Sequence, residues 1–101
     1  MTNATLTKTA TRLNVLKKNA LYQLEENINY STGQGNCYLM LRQSRQCIGS
    51  LTKNILGDGW EASILCLPEK GYDTVSELIY SGDRETALSM LWKNRGQAYR
   101  Y

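Results

Sequence analysis

The chain has 101 residues, of which 42% are hydrophobic and 21% are charged, and its formal net charge is +3. This length and composition predict one globular domain with a single core rather than a disordered chain. The sequence has no histidine, which excludes Ser-His-Asp and Cys-His catalytic sites and every zinc site that uses histidine. Residues 1–56 carry seven basic and two acidic side chains, and residues 57–101 carry five and seven. The basic half indicates either an acidic or nucleic-acid partner or a solvated surface.

Apolar spacing in the first third of the chain predicts a helix. Side chains recur at intervals of three or four residues, or multiples of these, at Leu6, Ala10, Leu13, Ala20, Leu24 and Ile28. The stripe predicts a helix over about 9–29, preceded by a loose arm over about 1–8. Threonines in the arm favour strands or frayed ends. A turn at the glycines of 33–35 then separates this helix from the next element.

A second stripe predicts a second helix, over about 37–56. It consists of Cys37, Met40, Leu41, Ser44, Cys47, Ile48, Leu51 and Ile55. Gly57 follows it, where a left-handed residue commonly ends a helix. The two predicted helices and their short connection favour an antiparallel helical hairpin.

Residues 58–67 are ambiguous. Ala62, Ile64 and Cys66 alternate as in a strand, but a lone strand would lack a partner for its backbone groups. Asp58 and Glu61 have the spacing of a capping box, which indicates a short helix instead. We favour the helix over the short strand for this segment.

The last third of the chain predicts two more helices. Thr74 and Glu77 form a capping box that predicts a helix over about 75–81. Asp83 is placed to cap a last helix over about 84–95, followed by a loose tail over about 97–101. The sequence therefore predicts a mainly α-helical single domain over residues 1–101.

The cysteines and the sequence ends predict the compartment. Cys37, Cys47 and Cys66 are odd in number and widely spaced, which fits neither a disulfide framework nor a zinc site. The N-terminus lacks the apolar core of a secretory signal, and no apolar run has the length of a membrane span. We expect buried free thiols in a cytoplasmic protein with no metal, no cofactor and no membrane partner.

Aromatic and cationic side chains are the candidate binding residues. Tyrosine occurs seven times and tryptophan twice, whereas phenylalanine is absent, which is typical of surfaces that become half-buried on binding. The candidates for partner binding are Trp60, Leu67, Pro68, Tyr72, Trp92, Arg95, Tyr99, Arg100 and Tyr101. In the tail, aromatics interleaved with cations suit a protein interface or single-stranded nucleic acid, or else belong to a disordered terminus. Acidic pairs near predicted helix starts are explained by capping, so we expect no enzyme activity.

The only proline is the most individual feature of the sequence. Pro68 lies between an apolar segment and a Gly-Tyr turn. It is either a helix stop or a cis/trans switch on which a host prolyl isomerase acts, because X-Pro bonds exchange slowly without catalysis.

A small chain with a basic first half, no catalytic inventory and a lone proline in Cys-Leu-Pro-Glu-Lys-Gly-Tyr (66–72) resembles the anti-RecBCD accessory proteins of lambdoid phages. The resemblance is general over the whole length and specific only around Leu67-Pro68-Glu69. It implies a non-enzymatic protein in the host cytoplasm that binds the host RecBCD helicase–nuclease through its RecC subunit. Binding would modulate the degradation of DNA ends in favour of phage recombination, with Pro68 as an interaction or isomerisation point. The residues themselves leave open a small nucleic-acid-binding or regulatory protein that uses the helix faces of 9–29 and 37–56 and the tail.

Overall fold

The computed structural model describes residues 11–29, 35–67 and 73–99, and this part of the chain is mainly β-structure. Its strands are β1 (Thr11–Lys18), β2 (Tyr22–Asn29), β3 (Cys37–Leu41), β4 (Cys47–Lys53), β5 (Trp60–Cys66) and β6 (Val75–Gly82). They form one antiparallel sheet in the order of the sequence. Helix α1 (Arg84–Lys93) and a 3-10 turn, Arg95–Gln97, follow. The prediction of a mainly α fold is therefore wrong.

The helix covers one face of the sheet. It packs against β4, β5 and β6, and the core between the layers includes Leu24, Leu39, Ile48, Leu51, Ala62, Ile64, Ala87 and Leu91. Burying one of the leucine or isoleucine side chains of this core typically contributes about 1.5–3 kcal/mol. Gly49 permits the close approach, because a Cβ at this position would lie 3.0 Å from Cδ1 of Leu91.

No described helix covers the opposite face, which we call the open face. Cross-strand pairing places one row of side chains on it, running through Val15, Glu25, Tyr38, Ser50, Ser63 and Leu78. Antiparallel sheets commonly leave one face to solvent. The described part of the chain is therefore a two-layer structure with one covered and one open face.

Both helices of the predicted hairpin are pairs of strands. β1 and β2 occupy most of 9–29, and they are joined at Asn19, whose side-chain oxygen accepts the N–H of Leu21 (2.9 Å) and of Tyr22 (2.8 Å). An asparagine that bonds to the backbone two or three residues ahead makes a turn and ends regular structure. β3 and β4 likewise divide 37–56 at a turn, so the helix predicted there is also wrong.

After residue 57, two of the predicted helices are strands and the last one is confirmed. Thr74 and Glu77 have the spacing of a capping box, but Thr74 lies just before strand β6 and Glu77 lies within it, so the helix predicted over 75–81 is wrong. The helix that we favoured for 58–67 is wrong and the strand alternative is correct, since β5 pairs with both β4 and β6. The last helix is confirmed: Asp83 caps α1 by accepting the N–H of Thr86 at 2.9 Å.

The chain after α1 is joined to the sheet. Ala98 is buried in the core at 6% exposure, and the N–H of Tyr99 donates to the carbonyl of Leu65 at 2.7 Å. Leu65 lies beyond the last residue of β5 that pairs with β4, so Tyr99 takes the place of a strand partner there. The predicted arm over 1–8 and the last two residues of the predicted tail, 100–101, lie outside the described residues.

Within the described ranges, no helix combines the length and the apolar character needed to cross a membrane.

Candidate functional site

A buried cation joins the helix to the sheet. Arg84, the first residue of α1, forms a salt bridge with Glu26 of β2, and the two side chains are only 17% and 10% exposed. Its Nη2 also donates to the carbonyl of Gly35 at 2.9 Å and lies 3.4 Å from Sγ of Cys37. The guanidinium lies 4.9 Å from the ring centroid of Trp60. We call these five residues the Arg84 cluster; it connects α1 with β2, β3, β5 and the segment before β3.

Sequence reasoning missed Arg84 and Glu26, although both positions are unusual. A cation at the first turn of a helix is disfavoured by the helix dipole, so Arg84 needs a compensating partner. Glu26 lies two residues after the buried Leu24 in β2 and therefore shares its face of the sheet, which places a carboxylate on the core side. A buried charge requires an opposite charge nearby.

The thiols of the chain are not activated. Burial raises the pKa of Cys37 to about 11, against the opposing effect of the Arg84 charge. Burial also raises the pKa of Cys47 and of Cys66. All three cysteines are free, and a thiol with a raised pKa is mostly protonated and a poor nucleophile near neutral pH.

A second cation–aromatic cluster lies where the chain leaves the helix. The guanidinium of Arg95 lies 4.5 Å from the ring centroid of Trp92 and 5.9 Å from that of Tyr22. Its Nη1 donates to the carbonyl of Trp92 at 2.9 Å. Two predicted partner-binding residues, Trp92 and Arg95, are therefore engaged with each other and with β2.

An ion pair between Arg45 and Glu25 lies on the open face. Arg45, in the turn after β3, has a φ of 62° and donates through both terminal nitrogens to the carboxylate of Glu25, with Nη2 3.0 Å from Oε1. Gln23 donates to the same carboxylate at 2.6 Å. The side chain of Glu25 is 5% exposed and that of Arg45 is 51% exposed. The hydrogen bond from Arg45 is the main reason why the pKa of Glu25 is lowered, against the effect of burial.

This lowered pKa predicts a pH-dependent stability. Because the pKa of Glu25 is lower in the folded than in the unfolded state, its contribution is complete above the unfolded pKa and is lost as the pH falls through the folded one. We expect the free energy of unfolding of Glu25→Gln to fall less than that of the wild type between about pH 6 and about pH 3. Urea unfolding at several pH values measures this. Glu85→Gln, at an exposed position of α1, serves as the control, and equal pH slopes for wild type and Glu25→Gln would contradict the role of the ion pair.

A depression of about 110 Å³ is lined by Cys47, Ile48, Gly49, Ser50, Ile64, Leu65 and Ser76. Small-molecule sites usually enclose about 300–1,000 Å³ and contain a few convergent polar groups. The depression is smaller and its lining side chains are uncharged. It does not have the form of a substrate or cofactor site.

The candidate partner-binding residues do not form one surface. Trp60 is 9% exposed within the Arg84 cluster, whereas Leu67, just after β5, is 52% exposed. Trp92 and Arg95 pack on each other, and the backbone of Tyr99 is bonded to β5. The other candidates lie outside the described residues: Pro68, Tyr72, Arg100 and Tyr101. The proposed switch at Pro68 therefore stays a prediction.

Among the described residues, the most exposed large apolar side chains lie at the tip of the β4–β5 hairpin, which sequence reasoning did not single out as a binding surface. Ile55 is 99% and Leu56 is 83% exposed. Asn54 holds the turn: its side-chain oxygen accepts the N–H of Leu56 at 2.7 Å, its carbonyl accepts that of Gly57 at 2.8 Å, and its Nδ2 donates to Glu61 at 3.1 Å. Gly57 has a φ of 80°, a conformation that glycine adopts without strain. We call Ile55 and Leu56 the apolar tip.

Neither metal ligation nor relationship to other proteins identifies a function. In the parts of the chain that the structure describes, no three cysteine, aspartate or glutamate side chains are grouped to hold a metal ion. Comparisons of the chain with protein-family models, with curated proteins and with solved structures found no match. A proposal about function therefore draws on the side chains and geometry of this chain and on the resemblance around Leu67-Pro68-Glu69.

Proposed function

We propose that this protein acts by binding another protein, and that its target is the host RecBCD helicase–nuclease, contacted through the RecC subunit and modulated in favour of phage recombination. The observation that carries the binding proposal is the apolar tip. Full burial of a large aliphatic side chain on binding contributes about 1.5–3 kcal/mol, and the tip offers two such side chains. The target itself is proposed from the resemblance around Leu67-Pro68-Glu69.

The turn geometry supports the role of the tip as an anchor. The three hydrogen bonds of Asn54 fix the backbone that presents Ile55 and Leu56, so little conformational entropy is lost when they enter a pocket. Interfaces draw most of their binding energy from a few buried anchors. The guanidinium groups of Arg84 and Arg95 already contact other side chains within the fold. These contacts disfavour both residues as anchors.

The proposal predicts that the double variant Ile55→Ser/Leu56→Ser binds purified RecBCD about tenfold or more weakly than the wild type, as expected for loss of hot-spot contacts. The fold should be unchanged, because both side chains are exposed. Leu78→Ser is the matched control, since it removes an apolar side chain that is 54% exposed on β6. Calorimetry with RecBCD and with isolated RecC, together with nuclease activity on linear duplex DNA, measures the effect.

Three outcomes separate the possibilities. No binding of the wild type to RecBCD and unchanged nuclease activity would exclude this target. Binding that the tip variant leaves intact would exclude the tip as the anchor. Affinity for DNA alone that falls steeply with salt would instead favour the nucleic-acid alternative, although the helix faces first considered for it are strands.

A host prolyl isomerase acting at Pro68 remains part of the proposal. Pro68→Ala in the same assay is expected to keep the fold and to change RecBCD binding or its modulation. Unchanged behaviour would leave Pro68 with only a structural role.

A further inference from the structure

Strand β1 lies at one edge of the sheet, and its pairing fixes which of its backbone groups point outward. The N–H of Asn27 in β2 donates to the carbonyl of Asn36, on the β3 side. Backbone groups alternate in direction along a strand, so the residues of β2 that bond to β1 are Glu26 and Ile28. Their partners in β1 are Asn14 and Arg12.

The backbone groups of Leu13 and Val15 therefore point away from β2. Among the described strands, β1 has a neighbour on one side only. The irregularity of β1 falls between Val15 and Lys17, so the pairing before it is regular. The stretch Thr11–Val15 presents backbone donors and acceptors in the spacing that an added strand requires.

The side chains of this edge are suited to an extended ligand. Leu13 is 63% and Val15 is 49% exposed, and both lie on the open face because they pair with Asn27 and Glu25. The one described β1 side chain that packs against the core is Leu16. An added strand could therefore bury two apolar side chains while it pairs with the backbone.

The charges define the chemistry of the ligand. Lys17 and Lys18 are exposed at the end of β1, and Arg42 is fixed beside them by donating to the carbonyl of Asn19 at 2.8 Å. The neighbouring carboxylates, Glu25 and Glu26, are already paired with arginines. This end of the edge is therefore cationic, and it favours acidic residues in a ligand.

We infer that β1 binds an extended acidic and apolar segment of the partner protein as an additional strand. The inference rests on the proposed function, since it names a second contact of the same partner. Lysines and bulges often protect an edge strand from pairing; here both lie at the Lys17 end, and the regular stretch from Thr11 to Val15 remains available. The lysines then select the charge of the ligand instead of excluding every ligand.

The test uses a blocked eight-residue peptide of alternating valine and glutamate, with a lysine-for-glutamate peptide as its counterpart. In amide NMR spectra of the full chain, we expect saturable shifts at Leu13 and Val15 with the glutamate peptide. Binding of the lysine peptide is expected to be at least about tenfold weaker, because it meets like charge. Equal affinity for both peptides, no saturable binding, or shifts located away from β1 would overturn the inference.

Variants of the chain test whether the peptide binds at the outward edge of β1. Leu13→Pro removes an outward N–H without removing a bond to β2, so it should abolish binding, whereas Leu13→Thr keeps that N–H and should retain most of it. Ser76→Pro, at an exposed position of the opposite edge strand β6, is the proline control and should bind as the wild type does. If Leu13→Pro does not fold, the double variant Lys17→Glu/Lys18→Glu decides, since it should reverse the preference between the two peptides.

The peptide experiment does not depend on RecBCD. Binding of the glutamate peptide without binding of RecBCD would keep the edge inference and reject the proposed target. RecBCD binding that leaves the outward amides of Leu13 and Val15 unprotected from hydrogen exchange would keep the target and reject the edge.

Discussion

Replacing Gly35 by alanine is expected to lower the free energy of unfolding by about 3 kcal/mol, at the upper end of what overpacking usually costs. A Cβ at this position would lie 1.1 Å from the carbonyl oxygen of Asn27 and 2.3 Å from its carbon. These are backbone atoms of β2 and cannot rotate away. Moving the chain would also disturb two bonds, the one from Asn27 to the carbonyl of Asn36 and the one from Arg84 to the carbonyl of Gly35.

Gly96→Ala is the matched control. A Cβ at Gly96 would have no atom within 4 Å, and its φ is not in the left-handed region. We expect its free energy of unfolding to stay within about 0.5 kcal/mol of the wild type, as for most surface substitutions. Urea unfolding followed by tryptophan fluorescence compares the two variants. If both were equally stable, Gly35 would not approach β2 as closely as the structure describes.

The sequence could not reveal the sheet by periodicity alone, because bulges change the spacing of buried residues. In the pairing of β3 with β4, Leu39 faces Gly49 and the next pair is Met40 with Cys47, which leaves Ile48 of β4 as an extra residue. The buried pair Ile48 and Leu51 is then three residues apart, as in a helix. A strict alternation would have indicated a strand.

The turn between β3 and β4 was also hard to recognise in the sequence. Arg45 adopts a left-handed φ that is commonest for glycine and asparagine, so the turn between β3 and β4 lacks the residue type that usually marks this position. The turn after β1 does have one, since Asn19 bonds ahead to the backbone of Leu21 and Tyr22. Ile55, placed on the buried stripe of a predicted helix, is 99% exposed at a hairpin tip.

Local sequence signals predicted the structure correctly where an element forms without a partner strand, as α1 does. Asp83 caps α1, and Ala87 and Leu91 of that helix are buried, as the helical spacing predicts. The strand pattern of β5 was visible too, but a helix was favoured over it for lack of a partner strand. Its partners are β4 and β6, both predicted to be helical, so one error in fold class propagated to the neighbouring segment. The candidate site was harder to predict than the fold, because the Arg84 cluster joins residues that are far apart in sequence.

Removing the cation at the centre of that cluster is expected to destabilise the protein strongly. Arg84→Ala leaves the carboxylate of Glu26, a residue only 7% exposed, without its partner and removes the donor to the carbonyl of Gly35. Breaking a buried ion pair by removing one partner typically costs about 3–5 kcal/mol. Lys93→Ala, at an exposed position in the last turn of the same helix, should cost less than about 1 kcal/mol.

A double replacement separates the charge from the packing. The Nε of Arg84 is buried and has no acceptor among the described residues, so the ion pair is not an optimal arrangement of hydrogen bonds. Exchanging a buried pair for apolar side chains of similar size is often neutral or stabilising. We therefore expect Glu26→Leu/Arg84→Met to recover more than half of the stability that Arg84→Ala loses, as measured by urea unfolding. A double variant as unstable as Arg84→Ala would mean that the bond to Gly35 and the contact with Trp60, rather than the compensated charge, hold α1 on the sheet.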